Sequence, residues 1–335
     1  MKKFEIKIND EGKRLDSFMA RVCPTMPKAL LYKYIRIKRI KVNSKRAQIG
    51  TRLRSGDTVE AYISDEFFEQ KPKTYDFLSS KDNITVVYED ENILLADKPQ
   101  GLIVHPDKNE YRDTLIGRIQ HYLYNKGEYD PEKENSFAPA LANRIDRNTA
   151  GIVIAAKNAQ ALKILCEKIK NREIDKLYLA AVHGKLKKES GILEAFLEKN
   201  SEKNKVYLSR KKTDNNLSVK TGYRTLAYKS GLSLLEIKLY TGRTHQIRAQ
   251  FASIGHPLLG DGKYGSIKED KKIGYNKQAL YSYKLTFDFK TDAGILSYLD
   301  KKTFCVKDVF FSRELFGIKS EEINNPILPD IHHKS

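Results

Sequence analysis

The residues from Asn143 to Gly151 run directly into the apolar segment 152–156, which reads Ile-Val-Ile-Ala-Ala. An uninterrupted run of this kind, rich in β-branched residues and bounded by glycine and polar residues, is typical of a strand buried on both faces. The rest of the chain must be organised around such a strand. Asp146 then lies on the connection that leads into it, at a sheet edge or in a cleft.

Two guanidinium groups, those of Arg144 and Arg147, flank the Asp146 carboxylate in the sequence. Most clusters of this kind are solvated surface ion pairs that contribute little to stability. The cluster alone therefore favours an ordinary polar surface, and a functional interpretation needs support from other parts of the chain.

Length and charge limit what the chain can be. With 335 residues it can bury a full core and is expected to form two domains, one of them large. Its 61 Lys and Arg exceed its 43 Asp and Glu, and the net charge of +18 favours polyanionic partners, either nucleic acid or an anionic membrane face. No apolar run reaches the length of a membrane span, and Met1–Lys7 lacks a secretory apolar core. We expect a soluble, cytoplasmic protein.

The cysteines give no sign of a metal site. Cys23, Cys166 and Cys305 lie far apart, with no C-x-x-C pair and no histidine at ligand spacing. We interpret them as buried small hydrophobic residues and predict neither a disulfide nor a metal ion.

The first 64 residues predict a small α+β module. Apolar residues recur at helical spacing in 14–22, and Pro27 opens a second helix. Alternating strands follow near residues 40 and 58. From residue 28 to residue 56 there are ten Lys or Arg and no Asp or Glu, a surface that attracts phosphate whatever the base sequence. Four of these cations are candidate RNA contacts: Lys33, Arg36, Lys45 and Arg46.

A linker is expected at 65–82, because that segment mixes charge, proline and serine without periodicity. Beyond it, the patterns predict strands near residues 84, 93, 152, 175, 234 and 280, and helices near 115, 158 and 247. The Lys- and Ser-rich segment 189–216 is compatible with either a long hairpin or a loop.

Several segments resemble the RluA family of RNA pseudouridine synthases. Residues 144–151 are similar to the family's Arg-Leu-Asp-Arg-x-Thr-Ser-Gly, and 98–106 to its Lys-Pro-x-Gly and His-Pro. Residues 176–178 match a Lys-x-Tyr motif. The strongest match is 242–265, which resembles Gly-Arg-Thr-His-Gln-Ile-Arg followed by Gly-His-Pro-x-x-Gly-Asp-x-x-Tyr-Gly. The N-terminal module resembles the S4 RNA-binding domain, and residues 26–32 are most similar to large-subunit rRNA enzymes of the RluC type.

The resemblance implies roles for individual residues. Asp146 would be the catalytic carboxylate, with Arg243 as the cation that keeps it ionised in a water-poor pocket. Tyr178 would stack on the target base, Ile247 would wall the pocket, and Arg144 would fill the gap left by a flipped-out uridine. Three further residues would contact the RNA substrate: Arg147, Thr149 and Lys176. Breaking and remaking one ribose bond involves no redox change, so no cofactor is expected.

The family's fold implies a mixed, largely antiparallel sheet with flanking helices, joined to the small S4-like module. We expect that module at 1–64, the catalytic domain at 83–320 and a tail at 321–335. Three positions depart from the family pattern: Asn143 replaces His, Ala150 replaces Ser, and Tyr281 replaces the His of a closing Leu-His-Ala strand.

The resulting hypothesis is a monomeric pseudouridine synthase that acts on large-subunit ribosomal RNA, with no membrane partner and no nucleotide cofactor. Two alternatives stay open at this point. One is an enzyme of the same class that modifies tRNA. The other is a non-catalytic RNA-binding or ribosome-assembly protein that keeps the fold.

Overall fold

The computed structural model describes residues 1–68, 74–108, 110–200, 205–214, 216–272 and 274–323, the backbone alone being described at 199–200. Part of the expected linker (69–73) and most of the expected tail (324–335) lie outside these ranges. The expected linker also contains two short 3-10 turns, at Asp65–Phe67 and Asp76–Ser79.

The N-terminal part has a hydrophobic core of its own, formed by residues between Ile6 and Phe68. Leu15 and Phe18 from the first predicted helix and Ile35 from the second are fully buried in it. The elements here are strands β1 (Lys2–Glu5), β2 (Ile40–Val42), β3 (Lys45–Arg46) and β4 (Thr58–Ala61), and helices α1 (Leu15–Val22) and α2 (Lys28–Arg36). The sheet order β1-β4-β2-β3 gives the small α+β module that the sequence predicts.

Eleven strands form the second sheet. They are β5 (Thr85–Glu89), β6 (Ile93–Lys98), β7 (Ala140–Leu141), β8 (Ala150–Ala156), β9 (Ile174–His183), β10 (Ser190–Asn200), β11 (Lys205–Ser209), β12 (Leu217–Lys229), β13 (Leu232–Leu239), β14 (Leu280–Phe287) and β15 (Thr303–Cys305). The main path runs β11-β10-β12-β13-β9-β14-β8-β6-β5. Among the described pairs only β8–β14 is parallel, so the expectation of a mixed, largely antiparallel sheet is confirmed. The ambiguous segment 189–216 contributes the β10–β11 hairpin.

All seven residues of β8 are buried, as the apolar run predicts. Helix α3 (Leu115–Asn125) packs Ile119 against Val153 and Ala155, which point to one face of the sheet. Helix α4 (Ala159–Lys170) packs Leu165 against the opposite face. Because both faces of β8 are covered, alternation of polar residues is absent from its sequence.

Helix α5 (Gln246–Ser253) buries Ile247 and Phe251 against Tyr178 and other residues of β9 and β13. A short helix, α6 (Ile267–Lys272), follows it, and short 3-10 or π-helical segments come later at Gly294–Leu299, Ser312–Phe316 and Ser320–Glu322. In the described ranges none of the helices is both long and apolar enough to cross a bilayer.

Gly151 is required where β8 meets β14. It has φ +115°, and a Cβ at this position would lie 2.2 Å from the carbonyl oxygen of Ser282. A residue with a side chain would therefore push apart the one parallel strand pair among the described pairs, and with it the connection that carries Asp146.

The N-terminal module contacts the larger domain through Asp10, whose side chain is fully buried. Its carboxylate accepts hydrogen bonds from Ser136 Oγ and from Asn135 Nδ2, the latter at 3.0 Å, and pairs with Lys13 at 3.0 Å. Asn9 Oδ1 accepts the backbone N–H of Ala159 at 3.0 Å, at the start of α4. Polar contacts thus fix the module beside the connection that precedes Asp146.

One expectation about the cysteines is wrong. Cys23 is buried in the N-terminal core, but Cys166 is exposed and Cys305 is only half-buried. Cys166 lies next to the buried Leu165 in sequence, and one residue is about 100° around a helix, so it falls outside the apolar stripe of α4.

Candidate active site

The loop that carries Asp146 is held by hydrogen bonds from several directions. Within the loop, the Thr149 N–H donates to the Asp146 carbonyl at 3.1 Å. The neighbouring Arg147 carbonyl accepts the Gly101 N–H at 2.9 Å and the Lys98 ammonium at 2.9 Å. Asp146 therefore sits on a backbone whose position is fixed before any substrate binds.

Lys98 is completely buried and donates to three carbonyl oxygens, those of Pro99, Leu102 and Arg147, at 2.8–2.9 Å. Burial lowers the pKa of Lys98 to about 7, although the negative charges of Asp146 and Asp97 oppose the shift. No role of its own was predicted for this lysine from sequence. The structure shows that the Lys-Pro-x-Gly turn braces the Asp146 loop through it.

Arg248 is the guanidinium that lies against the Asp146 carboxylate. Its Nη1 donates to Asp146 Oδ2 at 3.2 Å, while its Nε and Nη2 bind both oxygens of Asp261 at 2.7 and 2.8 Å. Asp261 is fully buried and also accepts the Lys263 N–H at 2.9 Å. Burial alone would raise the pKa of Asp261, but the bonds and charge of Arg248 outweigh it and leave that pKa below its usual value.

The prediction that Arg243 pairs with Asp146 is therefore wrong. Arg243 is exposed and lies before α5, whereas Arg248 lies in the first turn of that helix and is only 6% exposed. The sequence contained a signal that Arg248 is buried. Arg248 is three residues before the buried Phe251, so the helical period brings its side chain near the packed face of α5.

A buried polar network fixes the start of α5. The Gln246 side-chain oxygen accepts the Thr241 hydroxyl at 2.9 Å and the Arg243 N–H at 3.1 Å. Its amide nitrogen donates to Thr221 Oγ1 at 2.8 Å, on strand β12. This network sets where the helix begins, and hence where Arg248 meets Asp146.

Tyr178 and Ile247 form the apolar wall of the site. Tyr178 is 7% exposed and Ile247 4% exposed, and both belong to one hydrophobic cluster. Burial, with a smaller contribution from the charge of Asp146, raises the pKa of Tyr178 to about 12. The structure thus brings together the predicted residues Asp146, Tyr178 and Ile247.

The other predicted contacts divide into surface and buried groups. Arg144 and Arg147 are exposed, and Arg147 lies 3.9 Å from an Asp107 oxygen. Lys176 is half-buried on β9, two residues before Tyr178, and burial lowers its pKa. Thr149 is only 3% exposed and accepts a hydrogen bond from Gln278 Nε2 at 3.1 Å, so the prediction that it contacts RNA directly is wrong. Its side chain instead ties the loop to the segment before β14.

The four N-terminal cations are all on the surface. Lys33 and Arg36 lie on the outer side of α2, and Lys45 and Arg46 form the edge strand β3. Aromatic rings accompany other cations of this module, with Arg39 over Tyr34 at 5.5 Å. The exposed positive charge expected between residues 28 and 56 is present.

Two of the departures from the family pattern have clear local partners. Asn143 Oδ1 accepts the Ile154 N–H at 2.8 Å, and this bond fastens the beginning of the loop to β8. The Tyr281 hydroxyl is within 2.8 Å of both oxygens of Asp97. Burial raises the pKa of Asp97 to about 6 despite the Tyr281 bond. Neither contact involves the Asp146 carboxylate.

The part of the chain that the structure describes holds no cluster of three His, Cys, Asp or Glu side chains that could bind a metal ion. The chemical groups at the site are one partly exposed carboxylate, one doubly paired guanidinium, a buried phenol and an apolar wall. This arrangement can hold a negative charge in a fixed position beside a planar ring.

Comparisons with known proteins place this chain in one class. Residues 92–253 match the family model described as RNA pseudouridylate synthase. An uncharacterized RNA pseudouridine synthase of Mycoplasma capricolum is 34% identical, with 93% of this chain and all of that protein covered. One of Mycoplasma genitalium is 33% identical over 85% of this chain and 88% of that protein. The ribosomal large subunit pseudouridine synthase D of Borreliella burgdorferi is 29% identical over 85% of each chain.

A solved structure gives the same fold. Human RNA pseudouridylate synthase domain containing 1 superposes with a TM-score of 0.54 at 20% identity, covering 69% of this chain and 86% of that one. The chain belongs to the family of RNA pseudouridine synthases and is an isomerase that acts on RNA.

Proposed function

We propose that this enzyme converts uridine to pseudouridine with Asp146 as the reacting group. The reaction breaks the bond between uracil N1 and the ribose, turns the base, and joins C5 to the same ribose carbon. The proton on C5 is lost and N1 gains one, so the product is an isomer of the substrate. An ionised carboxylate suits this chemistry, as a nucleophile or as a group that stabilises cationic character at the ribose.

The observation that carries this proposal is the pairing of Asp146 with Arg248, which is itself held by Asp261. Two nitrogens of this guanidinium are bound to the buried Asp261 carboxylate, so the group keeps its position when substrate binds. It therefore fixes the Asp146 oxygen that it also binds. Asp146 could then add to the ribose, add to the base or remove a ribose proton. Each of these routes needs the same charged, oriented carboxylate.

The surrounding residues suit a nucleotide swung out of its stack. Flipping costs a few kcal/mol. Tyr178 would stack on the extruded uracil, Ile247 would close the pocket, and the exposed Arg144 would occupy the vacated space in the RNA. Arg147 and Lys176 supply positive charge for neighbouring phosphates.

We assign large-subunit ribosomal RNA as the target class. Support comes from the similarity to the synthases D of Borreliella burgdorferi and, at 28% identity, of Nitrosomonas europaea. The closer resemblance of residues 26–32 to the RluC type stays a prediction. A tRNA target is the alternative within the same chemistry.

We further propose that residues 1–64 act as an S4-like RNA-binding domain, with 65–82 as linker and 83–320 as catalytic domain. The separate core and the exposed cations Lys33, Arg36, Lys45 and Arg46 support this assignment. A monomeric state and a cytoplasmic location remain predictions.

The test is Asp146→Asn, which removes the charge and keeps the shape. Asp76→Asn, at an exposed carboxylate in a 3-10 turn, is the matched control. Both proteins are incubated with transcribed 23S rRNA fragments and tRNAs, and pseudouridine is measured by mass spectrometry. We expect no product with Asp146→Asn, unchanged RNA affinity, and wild-type product with the control.

Product formation by Asp146→Asn would refute the catalytic assignment. A wild-type protein that binds RNA but makes no pseudouridine on any substrate would instead favour the alternative of a non-catalytic assembly protein. Mapping pseudouridine in rRNA and tRNA from cells that lack the gene separates the two target classes, since only the true target loses a modification.

A further inference from the structure

The Tyr264 hydroxyl bridges the edge strand β11 and a histidine beside Asp146. The Val206 N–H donates to the Tyr264 oxygen at 2.9 Å, and His245 Nδ1 lies 3.0 Å from the same oxygen. A backbone N–H can only donate, so the hydroxyl oxygen accepts that bond. The single hydrogen of the hydroxyl is left to be donated elsewhere.

Among the described residues, His245 Nδ1 is the acceptor within hydrogen-bond distance of that hydroxyl. If Nδ1 carried the ring hydrogen, the hydroxyl oxygen would accept two bonds, and the hydroxyl hydrogen of the half-buried Tyr264 would have no acceptor among the described residues. The arrangement that pairs every one of these groups within the protein has Nδ1 as the acceptor and the ring hydrogen on Nε2. That nitrogen lies 3.8 Å from Asp146 Oδ2.

The surroundings keep this imidazole neutral. Burial lowers the pKa of His245 to about 4; Arg248 and Lys263 lower it as well, while the charges of Asp146 and Asp261 oppose the shift. A neutral ring with its hydrogen on Nε2 presents a fixed N–H to the carboxylate and does not titrate in the neutral range.

The backbone at His245 is also unusual. Its φ of 53° and ψ of 20° are left-handed, a conformation that costs energy for a residue with a side chain. The ring is packed at 77° to that of Tyr264, and the Arg248 guanidinium lies 5.3 Å from the centre of the same Tyr264 ring. Tyr264 therefore contacts both groups that approach Asp146 Oδ2.

We propose that His245, held by Tyr264 as the Nε2–H tautomer, is a positioning residue for Asp146. It directs an N–H at the oxygen that Arg248 also binds, and so leaves Oδ1 as the oxygen presented to the nucleotide. The separation of 3.8 Å is longer than a hydrogen bond, and the proposal requires it to shorten in the substrate complex, as catalytic hydrogen bonds do in other enzymes. This inference rests on the proposed role of Asp146 in the reaction.

Nitrogen NMR of the intact enzyme with ¹⁵N-labelled histidine reads the tautomer directly. The protein supplies its own references, because His121 Nδ1 and His256 Nδ1 lie 2.7 and 2.8 Å from carbonyl oxygens and must donate to them. We expect His245 to show the opposite pattern, with a protonated Nε2 and an unprotonated Nδ1. A His245 ring with its hydrogen on Nδ1 would overturn the inference.

Tyr264→Phe keeps the ring and removes the hydroxyl. We expect the His245 tautomer to become mixed and kcat to fall about 10- to 100-fold with KM for RNA unchanged. The control is Tyr207→Phe, on β11 next to Val206, where the tyrosine is exposed to solvent. His245→Gln, which retains a side-chain N–H, should recover part of the kcat that His245→Ala loses.

Unchanged kcat in Tyr264→Phe would exclude the positioning role, and so would equal losses in His245→Gln and His245→Ala. If Tyr264→Phe does not fold, the wild-type spectrum alone decides the tautomer. The two proposals can fail separately. A wild-type enzyme that makes no pseudouridine refutes the proposed function, whereas normal product with a wrong tautomer refutes only this inference.

Discussion

The cations of this protein fall into two regions that use the same functional groups in opposite ways. In the larger domain, Arg248 is buried, and its guanidinium binds Asp146 and Asp261. In the N-terminal module, Lys33 and Arg36 are exposed, and among the described residues neither forms an ion pair.

The buried and the exposed cations are suited to different tasks. A buried, doubly bonded guanidinium fixes atoms at a site and is screened little by salt. An exposed lysine or arginine fixes nothing, but it attracts phosphate over a distance and releases counterions on binding. The buried guanidinium is therefore suited to holding a site in place, and the exposed cations are suited to attracting a polyanion.

The largest expected effect comes from Arg248→Ala. It leaves the buried Asp261 without its partner and Asp146 without its anchor. We expect a loss of about 3–5 kcal/mol in the free energy of unfolding and a fall in kcat of about 10²-fold or more. Arg243→Ala, a change at an exposed arginine of the same motif, should leave stability within about 0.5 kcal/mol. Equal effects of the two changes on stability would contradict the contrast between a buried, paired arginine and an exposed one. Chemical denaturation and single-turnover assays measure both.

A smaller effect is expected for Tyr281→Phe, which removes the hydroxyl beside both Asp97 oxygens. We expect about 1–3 kcal/mol less stability at pH 7. Because burial raises the folded-state pKa of Asp97 to about 6, its contribution to stability is present at low pH and is lost as the pH rises through 6. Losing the hydroxyl raises that pKa further, so the deficit should grow between pH 5 and pH 8. A deficit independent of pH would contradict this. Tyr228→Phe, at an exposed tyrosine, is the control.

The smallest effect is expected for Lys33→Ala combined with Arg36→Ala. RNA affinity should fall roughly ten-fold at low salt, and the slope of log affinity against log salt should flatten by up to about 0.7–0.9 for each lost phosphate contact. The turnover of bound RNA should not change. Lys307→Ala, an exposed lysine of the larger domain, should have a smaller effect on that slope. An unchanged slope in the double variant would remove the N-terminal face from the RNA interface. Filter binding over a salt series measures these slopes.

Much of the fold and part of the site follow from local sequence. Short sequence patterns predict the strand after Asp146 and the helices of the N-terminal module. They also predict the helix cap at Asn158, whose side chain accepts the Ala161 N–H at 2.8 Å. Tyr178 and Ile247 followed from family resemblance; the structure packs them in one hydrophobic cluster, in which Tyr178 feels the charge of Asp146.

The predictions that were wrong or missing concern contacts between segments that are distant in the sequence. The choice between Arg243 and Arg248 turns on where α5 begins, which Thr221 and Thr241 fix through Gln246. Thr149 looked like an RNA contact because its partner, Gln278, is more than a hundred residues later. The Lys-Pro-x-Gly motif pointed to Lys98 but not to its role, because a buried ammonium bonded to carbonyl oxygens leaves no charge pattern in the sequence.

The parallel pairing of β8 with β14 has a consequence for how the enzyme comes into being. The Asp146 loop rests on β8, and β8 pairs with β14, which ends at Phe287. A nascent chain that has emerged only as far as α5 contains Asp146, Tyr178 and Arg248 but not β14, the strand that lies between β8 and β9. The N-terminal module closes its own sheet long before that, so its separate core can form early in synthesis, whereas the sheet that carries the Asp146 loop is complete only after β14 has emerged.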